Sequence, residues 1–190
     1  MIRTKIALLA LGANLPFDGM KPEDTLKSAV KAFPSVKLAL PRLSRLFLTP
    51  CFPVGAGPDY VNATALLEVE DGLSATELMA RLHQLESLFG RKRETRWGMR
   101  TLDIDLLALD DRVIPDIETH SYWRSLDPEL QLHAAPDQLI LPHPRLQDRA
   151  FVLLPLADVA PDWVHPILQQ TVAQMLSALP AADLAAMRPL

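Results

Sequence analysis

The stretch "YVNATALLEVEDGLSATELMARLHQLESLFG", residues 60–90, contains the pattern of one strand and one helix. Residues 60–70 alternate between apolar and polar side chains, which is typical of a half-buried strand. The apolar face consists of Val61, Ala63, Ala65, Leu67 and Val69, and the other face carries Tyr60, Asn62, Thr64 and Glu68. Ser74 followed by Glu77 is a capping-box pattern, and Gly90 supplies a stop, so a helix is predicted between them.

A second strand with one polar face follows this helix. In "TLDIDLLAL", residues 101–109, Leu102, Ile104 and Leu106 fall on one face and Asp103 and Asp105 fall on the other. We expect the apolar faces of both strands to pack under the helices. The polar faces of the two strands should then share the open side of the sheet.

The segments before residue 60 complete the order of elements. Residues 5–11 form a continuous apolar run, as expected of a central strand. Residues 23–33 place apolar side chains at helical spacing, and residues 36–50 are predicted to be extended, with Pro41 at an edge or a bulge. The order strand, helix, strand, strand, helix, strand predicts an α+β fold with a ferredoxin-like βαββαβ core. Such a core is an antiparallel sheet with helices on one face.

The composition excludes several classes of function. The chain has 190 residues, a net charge of −4, 49% hydrophobic residues and 22% charged residues, which is ordinary for a globular protein. Proteins that bind nucleic acid or membrane surfaces are normally basic, so we expect neither partner. A single cysteine, Cys51, excludes an internal disulfide framework and fits a reducing cytoplasm. No apolar run reaches the roughly 20 residues that a membrane span needs.

Asp103 and Asp105 are candidate metal ligands. Two aspartates two apart on a strand point the same way, with Cα atoms roughly 6.5–7 Å apart. Their carboxylates suit Mg²⁺, which prefers a few carboxylates together with the phosphate oxygens of a substrate. The alternative is that both residues form the solvated face of a half-buried strand.

A cluster of cations precedes this strand. It consists of Arg91, Lys92, Arg93, Arg96 and Arg100. Arginine forks bind phosphate oxygens bidentately, so cations beside acids suit a metal-bound nucleoside triphosphate. A solvated charged loop is the alternative, but Trp97 argues against it because an indole is costly to expose unless it covers something. The residues thus favour phosphoryl-type transfer without identifying the acceptor.

Four motifs resemble a known family. They are "ALLALGAN", "LTPCFPVGAGPDYVNATALLE", "LESLFGRKRETRWGMRTLDIDLL" and "LPHPRLQDRAFVLLPLADVAP". In this order they resemble 6-hydroxymethyl-7,8-dihydropterin pyrophosphokinase of folate biosynthesis. The resemblance implies a ferredoxin-like fold and transfer of pyrophosphate from ATP to the hydroxymethyl group of the pterin, with AMP released. It also implies assistance by two Mg²⁺ ions. We expect a monomer, with an oligomer as the open alternative.

The resemblance implies a role for each matching residue. Asp103 and Asp105 would be the metal ligands, and Arg91 and Arg100 would stabilise charge on the transferring group. The nucleotide would be contacted by Glu86, Arg91, Arg93, Trp97, Arg100, His143 and Arg149. The pterin would be contacted by Thr49, Pro50, Phe52, Tyr60, Asn62, Trp97 and Phe151.

One segment departs from the family pattern. We expect a single domain over residues 1–190, with an insertion at about 110–140 and a closing helix over residues 170–179. The insertion is polar, interrupted by prolines and without a period. It could cap the nucleotide side, make an oligomer contact or be disordered. Two other functions stay open: a different Mg²⁺-dependent nucleotidyl or phosphoryl transferase, and an RNA-binding module, which the acidic face disfavours.

Overall fold

A computed structural model describes residues 4–51, 55, 57–90, 100–127, 130 and 134–190 of the chain. The strands are β1 (Thr4–Ala13), β2 (Arg42–Leu43), β3 (Phe47–Thr49), β4 (Tyr60–Glu70), β5 (Asp103–Leu109) and β6 (Arg188–Pro189). The α-helices are α1 (Pro22–Ala32), α2 (Ala75–Leu88), α3 (Ile117–Ser125), α4 (Ala150–Val159), α5 (Val172–Ser177) and α6 (Ala181–Ala185). Short 3₁₀ helices span Phe33–Val36 and Leu146–Asp148. Among the described residues, no helix is both long and apolar enough to cross a membrane.

The described strands form one antiparallel sheet around β1. The order is β5, β1, β4, β3 and β6, and β2 also pairs with β4. Strand β1 pairs with β4 from Thr4 opposite Glu70 to Ala13 opposite Val61, and its other edge pairs with β5. The predictions of an α+β fold, an antiparallel sheet and a central first strand are confirmed.

Helices α1 and α2 cover one face of this sheet. The strands contribute Ala7, Leu9, Leu11, Ala63, Ala65, Leu67, Ile104 and Leu106 to a core that includes Leu26, Ala29, Leu78, Leu82 and Leu85 from the helices. Each fully buried leucine in such a core contributes about 1.5–3 kcal/mol of transfer free energy. The predicted division of the two strands into apolar and polar faces is confirmed.

The predicted ends of α2 are confirmed in detail. Ser74 Oγ accepts a hydrogen bond from the amide of Glu77 at 3.2 Å, and the amide of Ser74 donates to Glu77 Oε2 at 3.0 Å. After the helix, Gly90 has φ +73°, and a Cβ there would lie 2.6 Å from the Phe17 ring. Glycine is therefore required at this position by both backbone and packing.

Helix α4 lies on the opposite face of the sheet, so the prediction of helices on one face holds for α1 and α2 only. Val152, Leu153 and Leu156 of α4 pack with Leu8 and Ala108. A register shift in the β1–β5 pairing lies between Leu8 and Leu9 of β1, and the adjacent residues Leu107 and Ala108 of β5 both belong to this second cluster. The members of this second cluster do not include the polar residues at the Asp103 end of β5.

The segment predicted to be an insertion contains α3, which is held against the chain after β5. Asp116 caps the helix by accepting from the amide of Thr119 at 2.7 Å. The backbones of Ile114 and Leu141 exchange two hydrogen bonds of 2.8 and 3.0 Å. Nε2 of His120 lies 2.9 Å from the carbonyl oxygen of Pro142. The described part of the insertion is thus joined to the segment that leads into His143.

Two buried histidines connect α3 to the C-terminal segment. The rings of His120 and His165 are 5.9 Å apart, and neither side chain is exposed. Burial, together with His120 and Arg124, lowers the pKa of His165 to about 4. Burial also lowers the pKa of His120, with a further lowering by Arg124.

We expect the free energy of unfolding to decrease as the pH falls from about 6.5 toward 4. Histidine in the unfolded chain has a pKa near 6.5, so over this range the unfolded state binds protons that the folded state does not. Above pH 6.5 both states are neutral at these rings and this loss is absent. Urea midpoints measured between pH 7.5 and 4.5 would show the slope. His165→Gln should make the slope shallower by removing the contribution of one ring, and an unchanged slope in that variant would contradict the explanation.

Candidate active site

Antiparallel pairing brings the polar positions of three strands together. Gly12 of β1 lies opposite Asn62 of β4 on one side and opposite Asp103 of β5 on the other. Two residues away, Ala10 is opposite Asp105. The register therefore confirms that the polar faces of β4 and β5 share one side of the sheet.

Gly12 makes room for the side chain of Asn62. A Cβ at Gly12 would lie 2.8 Å from Asn62 Oδ1. Asn62 Nδ2 donates to Thr49 Oγ1 at 2.7 Å, and Thr49 is buried. This bond fixes the orientation of the amide, so β3 and β4 together hold one polar group in a defined position.

Asn14, just after β1, fixes the backbone of Arg100. The amide of Arg100 donates to Asn14 Oδ1 at 2.8 Å, while the amides of Asn14 and Leu15 donate to the carbonyl oxygen of Arg100 at 3.0 and 3.1 Å. Asn14 Nδ2 also donates to the carbonyl oxygen of Pro58 at 3.2 Å. Asn14 is not among the site residues predicted from the sequence, although it lies in the quoted motif "ALLALGAN".

The guanidinium of Arg100 is paired with Asp103. Its Nη1 donates to Asp103 Oδ2, and both side chains are mostly buried. Both charges affect the nearby hydroxyl of Tyr60. Burial raises the pKa of this hydroxyl, the charge of Arg100 lowers it, and the charge of Asp103 raises it. Tyr60, Arg100 and Asp103 therefore form one group at the Asp103 end of β5.

A cavity of about 290 Å³ adjoins the other aspartate, Asp105. Its polar lining includes Asp105, His143, Arg145 and Arg149. The amide of His143 donates to the carbonyl oxygen of Leu107 at 2.7 Å, and His143 Nδ1 accepts from the amide of Arg145 at 3.1 Å. Burial, together with the charges of Arg149 and Arg145, lowers the pKa of His143 to about 3. A neutral ring whose Nδ1 accepts carries its proton on Nε2, which makes Nε2 a donor.

Arg149 and Phe151 lie at the start of α4. Burial lowers the pKa of Arg149, whereas the charges of Asp105 and Asp103 raise it. The guanidinium carbon is 5.5 Å from the centre of the Phe151 ring, a cation–π distance. Phe151 is 40% exposed, so this ring lies outside the core.

The other predicted site residues are buried, exposed or outside the described part of the chain. Glu86 is buried, and its Oε1 accepts from the amide of Ile104 at 2.7 Å, which ties α2 to β5; a nucleotide contact for it stays a prediction. Pro50 is exposed, and Cys51 is buried with Sγ 3.1 Å from the carbonyl oxygen of Gly57. Phe52, Arg91, Arg93 and Trp97 lie outside the described residues, as do Lys92 and Arg96.

The carboxylates of the described residues suit a metal ion that takes some of its ligands from the protein and the others from a bound substrate. Across the described parts of the chain, no group of three or more His, Cys, Asp or Glu side chains could hold a metal ion by itself. Asp103 and Asp105 nevertheless supply two carboxylates on one side of β5, which suits Mg²⁺ completed by phosphate oxygens and water.

An antiparallel sheet that presents paired carboxylates beside arginines is suited to enzymes of phosphoryl-type transfer. Comparison with known proteins narrows this class. The sequence profile of the family described as 7,8-dihydro-6-hydroxymethylpterin-pyrophosphokinase (HPPK) matches residues 8–161. The chain therefore belongs to this family, and the prediction from the sequence motifs is confirmed.

Two relatives carry the same name, 2-amino-4-hydroxy-6-hydroxymethyldihydropteridine pyrophosphokinase. The Synechocystis protein is 41% identical over 119 residues, which are 63% of this chain and 50% of the relative. The Haemophilus influenzae protein is 33% identical over 166 residues, or 84% of each chain. The prediction of a pyrophosphokinase-type transferase is confirmed at the level of the family.

A solved structure supports the fold. The crystal structure of wild-type Plasmodium falciparum HPPK-DHPS matches with a TM-score of 0.63 at 15% identity, and the match covers 93% of this chain and 45% of that chain. This chain thus spans half the length of the Synechocystis relative and less than half of the Plasmodium chain.

Proposed function

We propose that the protein transfers pyrophosphate from ATP to the hydroxymethyl group of 6-hydroxymethyl-7,8-dihydropterin, releasing AMP, as a step of folate biosynthesis. The observation that carries the proposal is the shared face of β4 and β5, where Asp103 and Asp105 lie on the same side as Asn62. Family membership supplies the identity of the two substrates.

The strand order supports the finer fold assignment. In the order β5, β1, β4, β3 the first and last strands of a βαββαβ unit are neighbours and the sheet is antiparallel. We assign this unit as a ferredoxin-like core within a single domain over residues 1–190. Residues 110–140 are then an insertion, and the segment after β5 elaborates the core.

Asp103 and Asp105 would hold two Mg²⁺ ions, which when bound would neutralise charge on the phosphate oxygens. Arg100 and Arg149 flank the two carboxylates and bring positive charge to the phosphates. Arg91 and Arg93 would add further phosphate contacts from the segment before Arg100. Glu86, Trp97 and His143 complete the proposed nucleotide contacts, in which His143 donates from Nε2.

The pterin would bind at the Asn62 end of the same face. Asn62 has a fixed amide that can bind a heterocycle edge, because Thr49 Oγ1 holds its Nδ2. Tyr60 and Phe151 offer aromatic surfaces, and Pro50, Phe52 and Trp97 complete the proposed pocket. The hydroxyl oxygen of the pterin would then attack the β-phosphorus and lose its proton to water, while the bond from the β-phosphorus to the α,β-bridging oxygen breaks and that oxygen leaves with AMP. Positioning and charge neutralisation are the main contributions we assign to the protein.

Product analysis tests this function. The protein would be incubated with ATP, Mg²⁺ and the reduced pterin, and the products separated by anion-exchange chromatography. We expect AMP and pterin diphosphate in equal amounts. ADP or free pyrophosphate as the leaving product would instead support a different Mg²⁺-dependent transferase and refute the proposal.

A further inference from the structure

The cavity beside Asp105 has two walls of different chemistry. The polar wall consists of Asp105, His143, Arg145 and Arg149. Much of the remaining lining is apolar and comes from the segment at 110–140, namely Trp123, Ala134, Pro136, Leu139 and Ile140. Trp123 supplies the largest flat apolar surface in this lining. A ligand that fits such a cavity has a charged part and a flat, weakly polar part.

The helix that carries Trp123 is fixed to the polar wall. His120, on the preceding residues of α3, contacts the carbonyl oxygen of Pro142, the residue before His143. The backbone pairing of Ile114 with Leu141 holds the start of the insertion at the same place. Trp123 is therefore positioned relative to His143 by contacts that need no ligand, which lowers the entropic cost of binding.

We propose that Trp123 contacts the base of the nucleotide co-substrate, so that the insertion supplies a base-binding wall. This inference rests on the proposed function, because it takes the polar wall to bind phosphates. Arg145 and Arg149 suit phosphate oxygens, whereas an indole suits the face of a purine. Stacking on an aromatic side chain is favourable for any base, so Trp123 adds affinity for the nucleoside part.

Binding measurements separate the base from the phosphates. A non-hydrolysable methylene analogue of ATP and inorganic tripolyphosphate, each with Mg²⁺, would be titrated calorimetrically into the full chain. For Trp123→Ala we expect Kd for the analogue to rise about tenfold or more, with Kd for tripolyphosphate within about twofold of wild type. Trp123→Phe should restore most of the affinity because it keeps a flat ring.

A matched control lies on the same helix. Ile117 is 62% exposed and does not line the cavity, so Ile117→Ala should bind both ligands as wild type does. Equal weakening of both ligands by Trp123→Ala would show a general loss of structure and overturn the inference. Unchanged binding of the ATP analogue by that variant would overturn it as well.

The experiments distinguish a failure of the proposed function from a failure of the proposed base contact. Wild-type protein that binds the analogue through Trp123 but makes no AMP would overturn the reaction and leave the base contact standing. Wild-type protein that makes AMP and pterin diphosphate, with Trp123→Ala unchanged in analogue affinity, would overturn the base contact alone. Wild-type protein that binds neither ligand would overturn both.

Discussion

Replacing Asp103 or Asp105 by asparagine should reduce Mg²⁺-dependent turnover about 1,000-fold or more without unfolding the protein. Asparagine keeps the size of the side chain but removes the negative charge that would hold a divalent cation. Both residues lie at the polar face, outside the two apolar cores. Removing one of two neighbouring carboxylates relieves their repulsion, and at position 103 the amide oxygen of asparagine can still accept from Arg100 Nη1. The thermal midpoint should therefore stay within a few degrees of wild type.

Rates measured over a range of Mg²⁺ concentrations check this expectation. Glu68→Gln is a matched control. Glu68 lies on the same face of β4 as Asn62, but it pairs with Ile6, at the end of the strand away from the candidate site. The control should retain activity within about twofold of wild type. If both aspartate variants kept full activity at every Mg²⁺ concentration, the assignment of these residues as metal ligands would be wrong.

The sequence predicts best those elements that carry local signals, such as strand alternation or helix-capping residues. Strand β4 was predicted over residues 60–70, which are its observed bounds, because its alternation is complete. Helix α2 carries a capping box at one end and Gly90 at the other. The composition of the polar face then follows from strand pairing. Because β1 lies between β4 and β5, Asn62 and Asp103 both lie opposite Gly12, one on each side of it.

The parts that the sequence predicts poorly depend on tertiary contacts. Helix α4 contains Pro155 within an almost wholly apolar run, so its sequence shows little helical period. It is stabilised by the apolar face that β1 and β5 present, including Leu107 at the register shift. Helix α3 lacks a strong apolar stripe and is held instead by backbone pairing and by His120, contacts between residues distant in sequence.

The residues of the candidate site also divide into those with a local sequence signal and those defined by tertiary contacts. Spacing along β5 identified both aspartates, since it is a local property. The role of Asn14 could not be found in this way, because its bonds to Arg100 span 86 residues. A motif signal was nonetheless present, as Asn14 directly follows the strand in the quoted "ALLALGAN". The wall that Trp123 forms was also not assigned, because it depends on how the insertion packs.

Replacing Arg100 by alanine should lower kcat about 100-fold or more while changing the Kd of ATP by only a few-fold. Arg100 is assigned to charge that develops on the transferring group, and an interaction stronger in the transition state affects rate more than ground-state binding. Its backbone is held by Asn14 whichever side chain is present, so the variant should fold normally. Single-turnover rates and calorimetric titration with the ATP analogue measure the two quantities separately.

The pairing of Arg100 with Asp103 requires a further comparison. Removing the arginine leaves Asp103 without this partner, so part of the rate loss could come from a displaced carboxylate. The double variant with Asp103→Asn separates the two effects: a loss no larger than that of the worse single variant shows that both act as one unit. Arg112→Ala, at an exposed position beyond the other end of β5, controls for lost net charge. A loss of ATP affinity with unchanged kcat in Arg100→Ala would contradict its role in the transition state, because uniform binding alone would then explain the arginine.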